Sequence, residues 1–180
     1  MPTTITGTDG VSQVQAGSIQ SDDLAAGAIT IGSGDLPAGS VIQVIQKIYN
    51  PSSIVSTTSS SYVSSGFIES ITPQSGASKV LARFDFSADQ DHRNTTSDLV
   101  SAFVVARNGS VVDNNSRASF SSEGIGSNDF RFILRTSISF LDSPNTTSST
   151  EYELFFKADI GTAKIHGFQS IIVTLMEIAG

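Results

Sequence analysis

Phe130-Arg131-Phe132-Ile133-Leu134-Arg135-Thr136-Ser137-Ile138-Ser139-Phe140 is the stretch on which the fold turns. Successive side chains of an extended chain point to opposite faces, so Phe130, Phe132, Leu134, Ile138 and Phe140 share one face and Arg131, Arg135, Ser137 and Ser139 the other. An eleven-residue helix would scatter the same residues around its circumference. The alternation predicts a long strand with its aromatic face in a core. By the same rule Phe84, Phe86 and Phe156 are expected in that core, together with Phe130, Phe132 and Phe140.

Working outward, the same period of two runs through residues 80–86, 100–107 and 152–158, and through shorter pieces at 41–49, 62–71, 110–113, 117–121, 163–166 and 170–178. Turn chemistry separates them: Thr72-Pro73-Gln74-Ser75-Gly76, Asn108-Gly109-Ser110, Gly124-Ile125-Gly126-Ser127-Asn128-Asp129 and Asp142-Ser143-Pro144-Asn145. Asn108-Gly109 suits a type I′ hairpin, whose two central residues both need positive φ. About eight to ten strands at this spacing, with no helical stretch among them, predict an all-β chain, an antiparallel β-sandwich of the jelly-roll kind. Strands 100–107 and 171–178 carry apolar side chains on both faces, which points to a subunit interface.

Residues 1–40 are of another character. They contain no aromatic residue and no Lys or Arg, and their few apolar residues sit among Gly, Ala, Ser and Asp. Such a segment cannot bury a core alone. It contains an imperfect repeat: Ala16-Gly17-Ser18-Ile19, Ser21-Asp22-Asp23-Leu24, Ala26-Gly27-Ala28-Ile29, Ser33-Gly34-Asp35-Leu36 and Ala38-Gly39-Ser40-Val41. One apolar residue per small-residue unit is the pattern of a chain that lays a thin stripe against neighbours, so the organisation expected is an extended stem, 1–40, and a β-sandwich head, 41–180. Val11, Val14, Ile19, Leu24, Ile29 and Leu36 are the residues expected to pack the stem or attach it. A flexible Gly/Ser linker is the plain alternative.

Composition narrows the function. The net charge is −7 and the isoelectric point near 4.6, which argues against nucleic acid and against an anionic membrane surface as partners. Ser and Thr make up about a quarter of the chain and charged residues 15%, so solubility rests on hydroxyls and amides. With no cysteine there are no disulfides, thiolates or sulfur-based zinc sites. The opening Met1-Pro2-Thr3-Thr4-Ile5-Thr6 lacks the pattern of a signal peptide, and no run approaches the ~18 apolar residues of a membrane span. The expectation is a protein made and folded in a cytoplasm, with Asn94, Asn108, Asn114 and Asn145 of its Asn-x-Ser/Thr triplets acting as turn residues.

Several stretches have a familiar look. Ile5-Thr6-Gly7-Thr8-Asp9-Gly10-Val11-Ser12-Gln13-Val14-Gln15-Ala16-Gly17-Ser18-Ile19 resembles the opening of bacteriophage tail-fibre and virion structural proteins, especially those of marine and cyanobacterial phages. Leu36-Pro37-Ala38-Gly39-Ser40-Val41-Ile42-Gln43-Val44-Ile45-Gln46, Ile71-Thr72-Pro73, Ser78-Lys79-Val80-Leu81, Phe140-Leu141-Asp142-Ser143-Pro144 and Met176-Glu177-Ile178 are similar to a head module of the same proteins. The resemblance implies a homotrimer, joined to other virion proteins by its N-terminal stem and facing the host with its head. A short tail fibre or spike subunit is the first reading, a capsid decoration or head-fibre protein the second, and a glycan depolymerase spike the third.

An enzyme needs convergent polar groups, and few are offered. There are two histidines, His92 and His166, and no Gly-x-Ser-x-Gly, His-Glu-x-x-His or phosphate-loop pattern. The most polar cluster is Asp89-Gln90-Asp91-His92-Arg93-Asn94. Its carboxylates and imidazole have the chemistry to hold a divalent cation or to serve a glycosidase, but a solvated interstrand loop is the commoner meaning of such a run. No catalytic residue, metal or cofactor is therefore expected. For contact with a host-surface glycan the candidates are His92, Arg93, Asn94, Asn114, Asn115 and Arg117, planar or forked hydrogen-bonding groups expected on loops.

Overall fold

The computed structural model describes residues 36–93, 98–112, 117–123 and 130–180. Every regular element among them is a strand: β1 (Val41–Tyr49), β2 (Val55–Thr57), β3 (Val63–Ile71), β4 (Lys79–Asp91), β5 (Leu99–Arg107), β6 (Ser110–Val111), β7 (Ala118–Ser122), β8 (Arg131–Asp142), β9 (Thr150–Ile160), β10 (Ala163–Ile165) and β11 (Ile171–Ile178).

They form two antiparallel sheets. In the first, β1, β11, β4 and β8 lie side by side, while β10 and then β2 continue along the second half of β4. In the second, β3, β9 and β5 lie side by side, with β6 and β7 both on the far side of β5. Set aside the short strands β2, β6 and β10, and number the remaining eight along the chain. The sheets then read first–eighth–third–sixth and second–seventh–fourth–fifth. That interleaving is the jelly roll, in which two Greek keys fold over each other.

Between the sheets lies one core. Val80, Ala82, Phe84, Phe86 and Ala88 of β4 and Ile171, Val173 and Leu175 of β11 face Phe103 and Val105 of β5 and Tyr152, Leu154 and Phe156 of β9. Phe103 sits at its middle, with ring centroids 4.8 Å from Phe86, 5.7 Å from Phe120 and 6.1 Å from Phe156. Every second residue of these strands is inward, which is why the alternation was legible.

Two turns do as their residues dictate. Asn108 (φ 48°) and Gly109 (φ 76°) make the tight connection between β5 and β6, where Arg107 pairs with Ser110, as expected of a type I′ turn. Just before β1 the Ser40 amide donates to the Pro37 carbonyl at 3.0 Å and Gly39 takes φ 89°, the geometry of a type II turn. Gly39 and Ala179 also donate their amides to the carbonyls of Ala179 and Ser40, so the head's backbone pairing begins just before Val41.

The structure corrects the sequence reading in four places. The run Asp89-Gln90-Asp91 is not loop but the end of β4, since β8 pairs with it as far as Asp91 and Arg131. The short strand β2 lies in a Ser/Thr-rich stretch with no alternation to mark it. In β5 the second face needs no other subunit: Ala102, Val104 and Ala106 are buried within the single chain. And Phe132, on the expected inner face, is 40% exposed, with Leu134 at 47%. The phase of β8 is right, since Ile138 pairs with Phe84 and is buried, but among the described strands β8 stands at the edge of its sheet, and Phe132 and Leu134 near its start are exposed.

The sandwich has two distinct ends. Residues 36–40 lie at one, beside the C-terminal residues Ala179 and Gly180. At the other, called distal below, β4 ends, β8 begins, and β10 leads into β11.

Candidate functional site at the distal end

The distal end is built from polar residues on both sides of β4. On the inner side, Gln90 donates through Nε2 to Ser101 Oγ (2.9 Å) and accepts through Oε1 from Ser122 Oγ (3.0 Å). Ser122 has one proton and gives it to Gln90, so His92 Nε2, 2.6 Å from Ser122 Oγ, must be the donor in that contact. Nε2 therefore carries a hydrogen, and the buried Nδ1 has no partner among the described residues. His92 also stacks on Phe130 (4.4 Å between centroids, 19° between planes), and its amide donates to the Phe130 carbonyl at 2.9 Å.

On the outer side the charges are paired. Asp89 is fully buried and takes both its hydrogen bonds from Arg131, one from Nε at 2.8 Å and one from the terminal nitrogen. Asp91 accepts from Arg93 (2.8 and 3.0 Å) and from Lys164 Nζ (3.0 Å). The Arg93 guanidinium, with Lys164 assisting against burial, holds the Asp91 carboxyl well below the usual carboxylate range. Both carboxylates are thus committed to cations of the chain itself. His92 points to the opposite side of the strand, so the three groups do not converge on one ion. Among the described residues no three acidic or imidazole side chains gather as a metal site.

The candidate contact residues fare differently. Arg93 is exposed at the distal end. His92 is only 1% exposed, a correction to its expected place on a surface loop: pairing with Ser122 and stacking on Phe130 draw it inside. Arg117 is exposed but stands at the far end of the five-residue strand β7 from Ser122, about 16 Å away along the strand at 3.3 Å per residue. The structure therefore does not bring Arg117 to Arg93. Asn94, Asn114 and Asn115 lie outside the described residues.

Two exposed aromatic residues escaped the sequence reading. Phe132 stands at the distal end of β8, its ring parallel to that of Phe130. Phe168, in the connection from β10 to β11, is 70% exposed and meets His166 edge-on at 5.5 Å. A signal for Phe168 was available, an aromatic residue inside the turn-like run His166-Gly167-Phe168-Gln169-Ser170. With Arg93, exposed but paired to Asp91, they give the distal end flat apolar rings beside a guanidinium, groups suited to stacking against a polar ligand.

At the opposite end, Leu36, Ile42, Gln74, Ser75, Ser78, Ala179 and Gly180 line a cleft of about 270 Å³. Beside it the fully buried Glu177 accepts from Gln43 Nε2 (2.6 Å) and the Gln74 amide (2.7 Å). Burial opposes its charge, but these donors prevail and hold the carboxyl below its ordinary value. Leu36, one of the expected stem residues, is half-buried here; Val11, Val14, Ile19, Leu24 and Ile29 lie outside the described residues.

No protein-family model and no curated protein matches the sequence. Among solved structures the chain is similar to one described as the structure of a marine algae virus of the order Picornavirales, at 11% identity and a TM-score of 0.23, over 100% of this chain and 83% of that one.

Proposed function

We propose that this chain is a non-enzymatic structural subunit of a bacteriophage virion, a short homotrimeric tail fibre or spike that attaches by residues 1–40 and contacts the host surface with its distal end. The observation that carries the reading is the polarity of the head. The stem enters at one end of the jelly roll, and the exposed rings and Arg93 lie at the other, so an anchored stem presents them outward. The repeat of residues 16–41 supports an attachment role, because one apolar residue per small-residue unit needs a neighbour to pack against. Jelly rolls serve viral capsids and lectins alike, which fits an adhesive virion part without singling it out.

The test separates stem from head. A chain beginning at Leu36 should keep the β-rich circular dichroism and the oligomeric mass of the full protein, yet be missing from purified particles when it replaces the wild type. Ile19, Leu24 and Ile29 changed together to Ser should do the same. Incorporation of either variant at wild-type level would put the anchor in the head and overturn the division.

A further inference from the structure

We propose that the outer face of the sheet β1-β11-β4-β8 is the surface through which copies of this chain meet. This deepens the homotrimeric reading above and rests on it. The register places Val44 opposite Met176, Met176 opposite Leu81 and Leu81 opposite Leu141, one apolar row across four adjacent strands. These residues point away from the core, because Ile45 and Tyr49 of β1 and Val80 and Ala82 of β4 point into it. Two rows along, Ile48 lies opposite Ile172. Val44 and Ile48 are each 54% exposed and Leu141 48%.

Single exposed apolar residues are ordinary, but a row running from one edge strand to the other is not. Both ends of the row lie on strands whose outer backbone edge has no partner among the described strands, the arrangement most prone to indiscriminate association unless a specific partner covers it.

Charge identifies that partner as a second copy. Lys79, Arg83, Arg131 and Arg135 lie on this face by strand alternation, and Lys164 on the adjoining β10, against Asp85, Asp89 and Asp91. Arg83, Arg131 and Lys164 pair with these three carboxylates, so Lys79 and Arg135 are the excess. The face therefore carries a net charge of +2 in a chain of −7, which leaves −9 for everything else. A basic, apolar strip on an otherwise acidic chain is complementary to the remainder of its own kind and not to itself. Two such faces repel, so the contact sets this face of one copy against a different surface of the next. That head-to-tail arrangement is the one that closes into a ring of three.

The experiment is sedimentation of the full chain across a range of concentrations, wild type beside Val44→Lys/Leu141→Lys and, separately, Arg83→Glu. Val44, Leu141 and Arg83 are about half exposed, so the head should fold in each variant, as unchanged circular dichroism would show. The expected result is three chain masses for the wild type and one for the double variant at the same concentration, with Arg83→Glu dissociating at lower salt than the wild type. A trimeric wild type with trimeric variants would overturn the assignment of the face and leave the homotrimer standing. A wild type that stays at one chain mass at all concentrations would overturn both.

Discussion

Arg131→Ala is expected to destabilise the head by about 3–5 kcal/mol, because it strips the fully buried Asp89 carboxylate of its guanidinium and leaves a lone charge inside the protein. Phe132→Ala, one residue along the same strand, should lose only about 1–2 kcal/mol, since its ring is already 40% in water. That ordering is the reverse of what alternation alone suggests for an aromatic residue beside an arginine. Removing both charges together, as Arg131→Met/Asp89→Leu, should be far milder than Arg131→Ala, as no unpaired carboxylate remains. Urea unfolding of the four proteins measures this. Equal small losses for Arg131→Ala and Phe132→Ala would show that the Asp89 pair adds nothing to stability.

A loss of similar size, about 3–5 kcal/mol, is expected from Phe103→Ala. Its ring lies where the two sheets meet, among Phe86, Phe120 and Phe156, and the close-packed surroundings have little freedom to fill the space it vacates. Phe168→Ala is the internal comparison: an aromatic ring 70% exposed should be removable at little cost in the same assay. A Phe103→Ala protein as stable as the wild type would mean that the core is not centred on that ring.

How far the fold could be read from the sequence depends on what each strand touches. Strands buried on one face announced themselves by alternation, and the Asn108-Gly109 turn by its need for positive φ. The pattern failed where long-range pairing overrides local character. Asp89 and Gln90 read as a polar loop because their partners, Arg131, Ser101 and Ser122, are far away in sequence. Phe132 read as core because alternation gives the face of a strand but not whether anything lies over it. The interleaved strand order had no local signature at all.

The candidate site was less legible still. His92 and Arg93 are neighbours in sequence, yet β4 turns one inward to Ser122 and leaves the other exposed beside Asp91. Arg117 was grouped with them by residue type alone. The register of β7 on β5 is what separates it. Phe132 and Phe168 become surface groups only once the edge position of β8 and the path from β10 to β11 are known.

The most direct test of the proposed virion role is the position of this chain on intact phage particles assembled in cells that express it. Gold-labelled antibody raised against the purified head, viewed by electron microscopy, should decorate short projections at the tail and bind through the distal end, so that Phe168→Ser and Arg93→Ser reduce labelling by antibodies selected for that end. Label spread over the capsid shell would make the chain a decoration protein in place of a tail fibre. Particles that carry no label, while lysates of infected cells contain the protein, would contradict a virion role altogether.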